Sequence, residues 1–306
     1  MVLLALAAVM LGRFSAAATD GQDRFRKLAP GVETTIPPDR QPDETHSAHD
    51  VVEIHTYPNL EWTPHFTPSD QTLFSRSAGT RFRHSLWCLE FSFKPLRMIH
   101  VDIPQPSGKM QRKLIRYLVY RVKNTGSRLV PSQDDETALT TEQTDLPIRF
   151  QPQFVLASHE FDKAYLDRII PAAMGPIQQR EDPRRTLLNT VQMAQQEIPV
   201  SSERIDRSVW GVATWEDVDP RIDFFSIEVQ GLTNAYRWVD PPGAYQAGDP
   251  PGKGRRFTHK TLQLNFWRPG DRYLEHEKEI RFGTPEGTAE KLYGVKEGVD
   301  YAWVYR

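Results

Sequence analysis

"LIRYLVYRVKNTG", residues 114–126, places an apolar or aromatic side chain at nearly every step and then stops at an Asn-Thr-Gly turn signal. A strand with one wet face alternates apolar and polar residues, because successive side chains point to opposite sides. Here Leu118, Tyr120 and Val122 make one apolar face while Ile115, Tyr117 and Val119 make the other. The run is therefore expected to be an interior strand, packed on a second sheet on one side and covered by a non-sheet segment on the other. Arg116 and Arg121 stand near its ends, where long stems are expected to follow the surface while the charges reach water.

The expected cover is residues 160–180. In "EFDKAYLDRII", residues 160–170, the side chains of Phe161, Ala164, Tyr165, Leu166 and Ile169 recur at spacings of three and four, which is one face of a helix. Ser158 or His159 is placed to start that helix and Pro171 to limit it.

Other runs follow period two. "SLWCLEFSF" (85–93) sets Trp87, Leu89, Phe91 and Phe93 against Glu90 and Ser92. "LRMIHVDIP" (96–104) continues through a "PQPSGK" turn as the hairpin partner of the opening stretch. "IRFQPQFVL" (148–156) alternates Ile148, Phe150, Phe154 and Leu156 around Pro152, which marks an edge or bulge. "SVWGVATW" (208–215) puts Val209, Gly211, Ala213 and Trp215 on one face, and its small residues leave room for a large neighbour. With "IDFFSIEVQG", "KTLQLNFW" and "YAWVY" the set reaches about nine strands, bounded by Gly, Pro, Asn and Asp. No strand alternates with a long helix, so the expected fold is mostly β, an antiparallel β-sandwich of immunoglobulin-like type with one or two short helices.

The 306-residue chain has ordinary globular composition and a formal net charge of -2, which offers no positive field to attract a phosphate backbone. Nucleic acid is excluded as a partner on that ground. One cysteine, Cys88, rules out an intrachain disulfide and a thiolate metal cluster, and in its strand-like run it reads as a small buried apolar residue.

"VLLALAAVML" followed by "SAAA" has the apolar core and small-residue site of a secretory signal, so residues 1–18 are expected to be a signal peptide or N-terminal anchor and are set aside from the fold. Membrane attachment is expected only if that segment stays uncleaved. Residues 19–50, rich in Pro, Asp, Glu and Thr, read as a flexible leader. Residues 51–306 then form the sandwich domain, with two sub-domains meeting near 130–147 as an open alternative. The locality expected is exported, in the periplasm or cell envelope.

"YLVYRVKNTG" resembles the strand and turn of immunoglobulin-like domains in bacterial exported proteins. The stretch Leu86 to Gly126, with "GVATWEDVDPRIDFFSIEVQGLTNAYRW" (211–238), resembles an uncharacterised family of exported proteins from planctomycete-type bacteria. The resemblance implies an exported β-rich protein and no particular activity.

Three stretches are candidates for chemistry. "WEDVDPRID" (215–223) gathers Glu216, Asp217, Asp219 and Asp223 on a loop, a grouping that suits Ca²⁺ or an acid–base pair but lacks the glycine and terminal Glu of an EF-hand loop. A solvated acidic turn, with no metal, is the expectation. His46 and His49 have a metal-compatible spacing without a third ligand. "DPPGAYQAGDPPGKGRR" (240–256) is a long stiff loop whose Lys253, Arg255 and Arg256 do not match a phosphate-loop pattern. Trp215, Trp238 and Trp267, at or near strand ends, together with Glu216, are the candidate ligand contacts, the rings by stacking on sugar faces. No hydrolase elbow, zinc-protease motif or dinucleotide fingerprint occurs, and no cofactor is expected. The function expected is a non-catalytic exported β-sandwich module that binds an envelope protein or glycan or plays a structural part. The alternative is a carboxylate-dependent hydrolase of envelope or extracellular polysaccharide.

Overall fold

In the computed structural model, which describes residues 32–47, 82–132, 139–239, 241–244, 249, 253–270, 276, 278–285, 287, 290–291, 294 and 298–306, Met110–Lys123 is a single strand. Both of its edges are paired. Glu90–Phe93 and Arg97–Pro104 follow one another antiparallel along one edge, with Phe93 opposite Tyr120 and Arg97 opposite Tyr117. Val209–Trp215 runs antiparallel along the other edge, with Gly211 opposite Tyr120. Thr34–Ile36 adds an outer strand against Glu90–Phe93 and completes a five-stranded sheet.

A seven-stranded sheet lies across from it, in the order Ala164–Leu166, Gln153–Ser158, Phe224–Gln230, Arg256–Trp267, Tyr236–Val239, with Arg281–Phe282 and Tyr301–Tyr305 also on Arg256–Trp267. Leu118, Tyr120, Val122 and Trp215 of the first sheet meet Phe154, Leu156, Phe225, Ile227 and Phe266 of the second in one buried cluster. Tyr120 and Phe154 sit with ring centroids 4.8 Å apart, and Phe93 meets Phe266 edge-on at 6.1 Å. The protein is thus a mostly β, antiparallel sandwich with two α-helices among the described residues.

The opposite face of the central strand is also dry. Ile115, Tyr117 and Val119 pack with Val101, Trp210 and Val212 beneath Ile170, Ala173, Ile177 and Leu187. Those last residues belong to helix α1 (Pro171–Glu181) and its flanks. Glu181 ties the helix down: its carboxylate accepts from Tyr117 Oη at 2.7 Å and pairs with Arg97 at 2.9 Å, while Lys94 Nζ donates to its carbonyl at 3.0 Å. Tyr117 and Tyr120 are 1% and 0% exposed, on opposite faces, as period two requires.

The cover begins later than the helical spacing in residues 160–170 predicts. Ala164–Leu166 is an edge strand antiparallel to Val155–Ala157, and Ser158 Oγ accepts from the backbone N–H of Glu160 and Phe161 in a tight turn. A short apolar run near an unpaired strand edge satisfies its backbone there, so tertiary pairing overrides local spacing. Pro171, read as a limit, is the first residue of α1, where its missing N–H costs nothing.

The leader also differs from expectation over residues 32–47. Ile36 is in the core, and Glu44 and Thr45 are buried in a short 3-10 turn. Lys260, on the long strand of the second sheet, pairs with Glu44 at 2.6 Å and Asp39 at 2.7 Å, and Tyr305 Oη donates to Glu44 at 2.6 Å. Specific ion pairing, which composition does not report, adds to the burial of Ile36 as the reason to order this segment. Ser127–Pro131 and Leu139–Gln143 pair with each other, and one core cluster draws residues from Ile36 to Ile280. Cys88 is 3% exposed, and burial pushes its thiol up to about 12, which makes it inert. Residues 1–18 and His49 lie outside the described residues.

Tyr120 fits because Gly211 faces it. A Cβ at 211 would stand 2.5 Å from the Tyr120 ring and 2.8 Å from Met193 Cε, whereas one at Gly175 on α1 meets nothing within 4 Å. In urea unfolding, Gly211→Ala is expected to cost about 1–3 kcal/mol through overpacking of the core. Gly175→Ala is expected to be neutral or to stabilise by up to about 1 kcal/mol through helix propensity. Equal effects of the two would contradict the packing described.

Candidate functional site

The register of the first sheet decides where the charged residues go. Arg116 is opposite Trp215, so the loop after Trp215 passes beside the early half of the central strand. Glu216 pairs with Lys113 at 3.2 Å and with Arg168 at 2.6 Å, and Asp217 pairs with Lys113 at 2.8 Å. Asp217 takes a left-handed backbone, φ 56°, a conformation that Asp tolerates better than most residues. Hydrogen bonds from Lys113 to Asp217 and then Glu216 push the Lys113 ammonium above its ordinary range.

Asp219 is gripped more closely. Arg221 donates Nη2 at 2.8 Å and Nε at 3.0 Å to its two oxygens, and Lys163 Nζ adds a contact at 2.9 Å. These bonds, Arg221 first and Lys163 second, hold its carboxyl far below the usual range. Asp223 takes Arg268 Nη2 at 2.7 Å on one oxygen and His276 Nδ1 at 2.8 Å on the other. Glu216 and Asp217 share Lys113, whereas Asp219 and Asp223 turn toward other cations, so the four do not converge on one point. No group of three potential metal ligands is found among the described residues.

Between this loop and the central strand lies a cleft of about 460 Å³. Gln111, Arg112, Lys113, Leu114 and Arg116 form one wall, Asp217 to Pro220 another, and Arg268 comes from the second sheet. Both sheets therefore contribute, at an end where their inner faces run out. Arg116 is 3% exposed, in contrast to the surface position expected of it. Its Nη2 donates to the Asp219 carbonyl at 3.3 Å and its guanidinium lies 5.9 Å from the Phe225 ring, while Nε and Nη1 are buried without a hydrogen-bond partner. Burial, and after it the charge of Arg268, pushes Arg116 down to about 10, so it stays charged at neutral pH.

Of the sequence-derived candidates, Asp217 and Asp219 line the cleft, and Glu216 sits beside it through its ion pair with Lys113. Trp215 is fully buried in the core and presents no face to a sugar. Trp238 is half-buried with the Arg255 guanidinium 3.5 Å from its ring centre, and Trp267 is half-buried with Arg281 at 5.2 Å. One face of each ring is thus already taken by a cation. Lys253 pairs with Asp249 at 2.7 Å. Arg116 and Arg268 were missed, although parity marks both: each continues the inward series of its strand, after Leu118 and Phe266 respectively.

The fold and cleft define an antiparallel β-sandwich with an ionic cleft at one end of its sheets. Comparison with protein-family models, with curated proteins and with solved structures gives no match.

Because the folded state holds Asp219 ionised, its contribution to stability is present above the ordinary carboxylate pKa of 3.8 and is lost as pH falls below it. A melting curve recorded against pH is therefore expected to fall on the acid side in the wild type and to fall less steeply in Asp219→Asn. Superimposable acid limbs would contradict the ion-pair assignment.

Proposed function

We propose that this chain is an exported, non-catalytic β-sandwich module that binds a component of the bacterial cell envelope, a protein or a glycan, through the ionic cleft. The observation that carries the binding reading over the hydrolase reading is the state of the carboxylates. Glu216, Asp217, Asp219 and Asp223 are each held in ion pairs with Lys, Arg or His side chains. A general acid needs a carboxyl whose pKa is raised toward the working pH, and Asp219 is shifted the other way. The cleft volume lies within the range typical of small-ligand sites. No helix among the described residues is long and apolar enough to cross a membrane. Export rests on the apolar segment at residues 2–11 and its small-residue flank. Kinship with the exported proteins of planctomycete-type bacteria, and the immunoglobulin-like character of the strand, rest on residues 86–126 and 211–238 and form part of the same proposal.

Co-sedimentation of the purified protein with envelope material, including insoluble wall polysaccharide, tests the reading. Retention without release of soluble sugar is expected, and intact mass of the protein recovered from the envelope fraction is expected to place its N-terminus near Thr19. Sugar release that disappears in Glu216→Gln would replace the binding module with a hydrolase.

A further inference from the structure

Among the described residues, the other buried cations are matched with carboxylates. Lys94 has Glu181 at 3.7 Å, Lys260 has Glu44 at 2.6 Å, Arg268 has Asp223 at 2.7 Å and Arg281 has Glu279 at 3.6 Å. Arg116 departs from that pattern. Among the described residues no carboxylate makes an ion pair with it, and its one hydrogen bond goes to a backbone carbonyl at 3.3 Å. A desolvated charge without a counter-charge is costly, and a buried donor without a partner in a native structure calls for an explanation. The nearby acids do not supply one. The Asp219 carboxylate is spent on Arg221 and Lys163, Asp217 on Lys113, and Asp223 on Arg268 and His276.

Arg116 lines the cleft, and the cleft wall carries Arg112, Lys113 and Arg268 as well. We propose that the cleft is a binding site for a small oxyanion, a carboxylate or phosphoryl group, which supplies the counter-charge that Arg116 lacks. The planar guanidinium fork matches two oxygens of either group, and turning it toward the cleft gives Nη1 and Nε acceptors. Leu114 and Val218 flank the charges and provide apolar surface for the rest of a ligand. Ion pairs hold Lys113 and Arg268 in place, which leaves Arg116 as the buried cation free to turn toward a ligand. This inference names the ligand chemistry for the cleft of the proposed binding module, but it is tested without envelope material.

The test is calorimetric titration of the full chain with inorganic phosphate, acetate and glucuronate, at ionic strength matched with sodium chloride so that general screening is constant. Saturable binding at millimolar concentration is expected for at least one of the three. Glucuronate binding more tightly than phosphate assigns the site to acidic sugars, and the reverse order assigns it to phosphoryl groups. Arg116→Met removes the fork and is expected to weaken binding by about tenfold or more, the worth of one charged hydrogen bond. Leu114→Trp keeps every charge and narrows the cleft from a position already 41% exposed, so it decides the matter if Arg116→Met fails to fold. It too is expected to weaken binding. Absence of saturable binding in the wild type, or binding unchanged in folded Arg116→Met or in Leu114→Trp, would overturn the proposal. A protein that binds these ions yet ignores envelope material would retain the oxyanion site and lose the envelope reading. The converse result would separate the two in the other direction.

Discussion

The central strand Met110–Lys123 has no wet side over its second half, and most of the architecture answers that constraint. Its even residues Leu118, Tyr120 and Val122 demand a second sheet, and its odd residues Ile115, Tyr117 and Val119 demand a cover of another kind. A strand dry on both faces must also have both edges paired, since an unpaired backbone group away from water costs about as much as a lost hydrogen bond. Glu90–Pro104 and Val209–Trp215 fill those edges. Gly211 is small because Tyr120 lies over it, and α1 ends where it does because Glu181 meets Tyr117, Arg97 and Lys94.

The same arrangement explains why charge collects at one end. Alternation runs inward past the last apolar residue on two facing strands, so Arg116 and Arg268 enter the space between the sheets instead of leaving it. The loop after Trp215 then brings its carboxylates to nearby cations. Ion pairing fixes that loop and leaves two buried donors of Arg116, Nε and Nη1, without a partner. Structure and function meet in that side chain: its burial follows from strand parity, and the cost of its burial points to a ligand.

Much of the sandwich is legible in the sequence, because period two is a local signal and the core strands carry it strongly. The two faces of residues 115–122, the hairpin through residues 105–109 and the small face around Gly211 follow directly from alternation. What is not legible depends on contacts between distant segments. Residues 164–166 have helical spacing but are captured by the edge of Gln153–Ser158. Residues 34–45 look too polar to fold, yet a lysine more than two hundred positions later buries its charge against Glu44. Trp215 is unavailable to a sugar for a related reason, since sequence does not tell a core ring from an exposed one. The inward arginines were readable, but only by applying parity to a charged residue as strictly as to an apolar one.

Hydrogen exchange read by mass spectrometry tests the central claim most directly. Amides in the deepest units of a fold exchange only through global unfolding. The account predicts that peptides covering residues 115–122 and 209–215 are the slowest to exchange. It also predicts that Ile177→Asp, which puts a charge under the helical cover, lowers protection across residues 115–119. Rapid exchange of residues 115–122 in the wild type, or protection of that strand untouched by Ile177→Asp, would contradict a central strand buried on both faces.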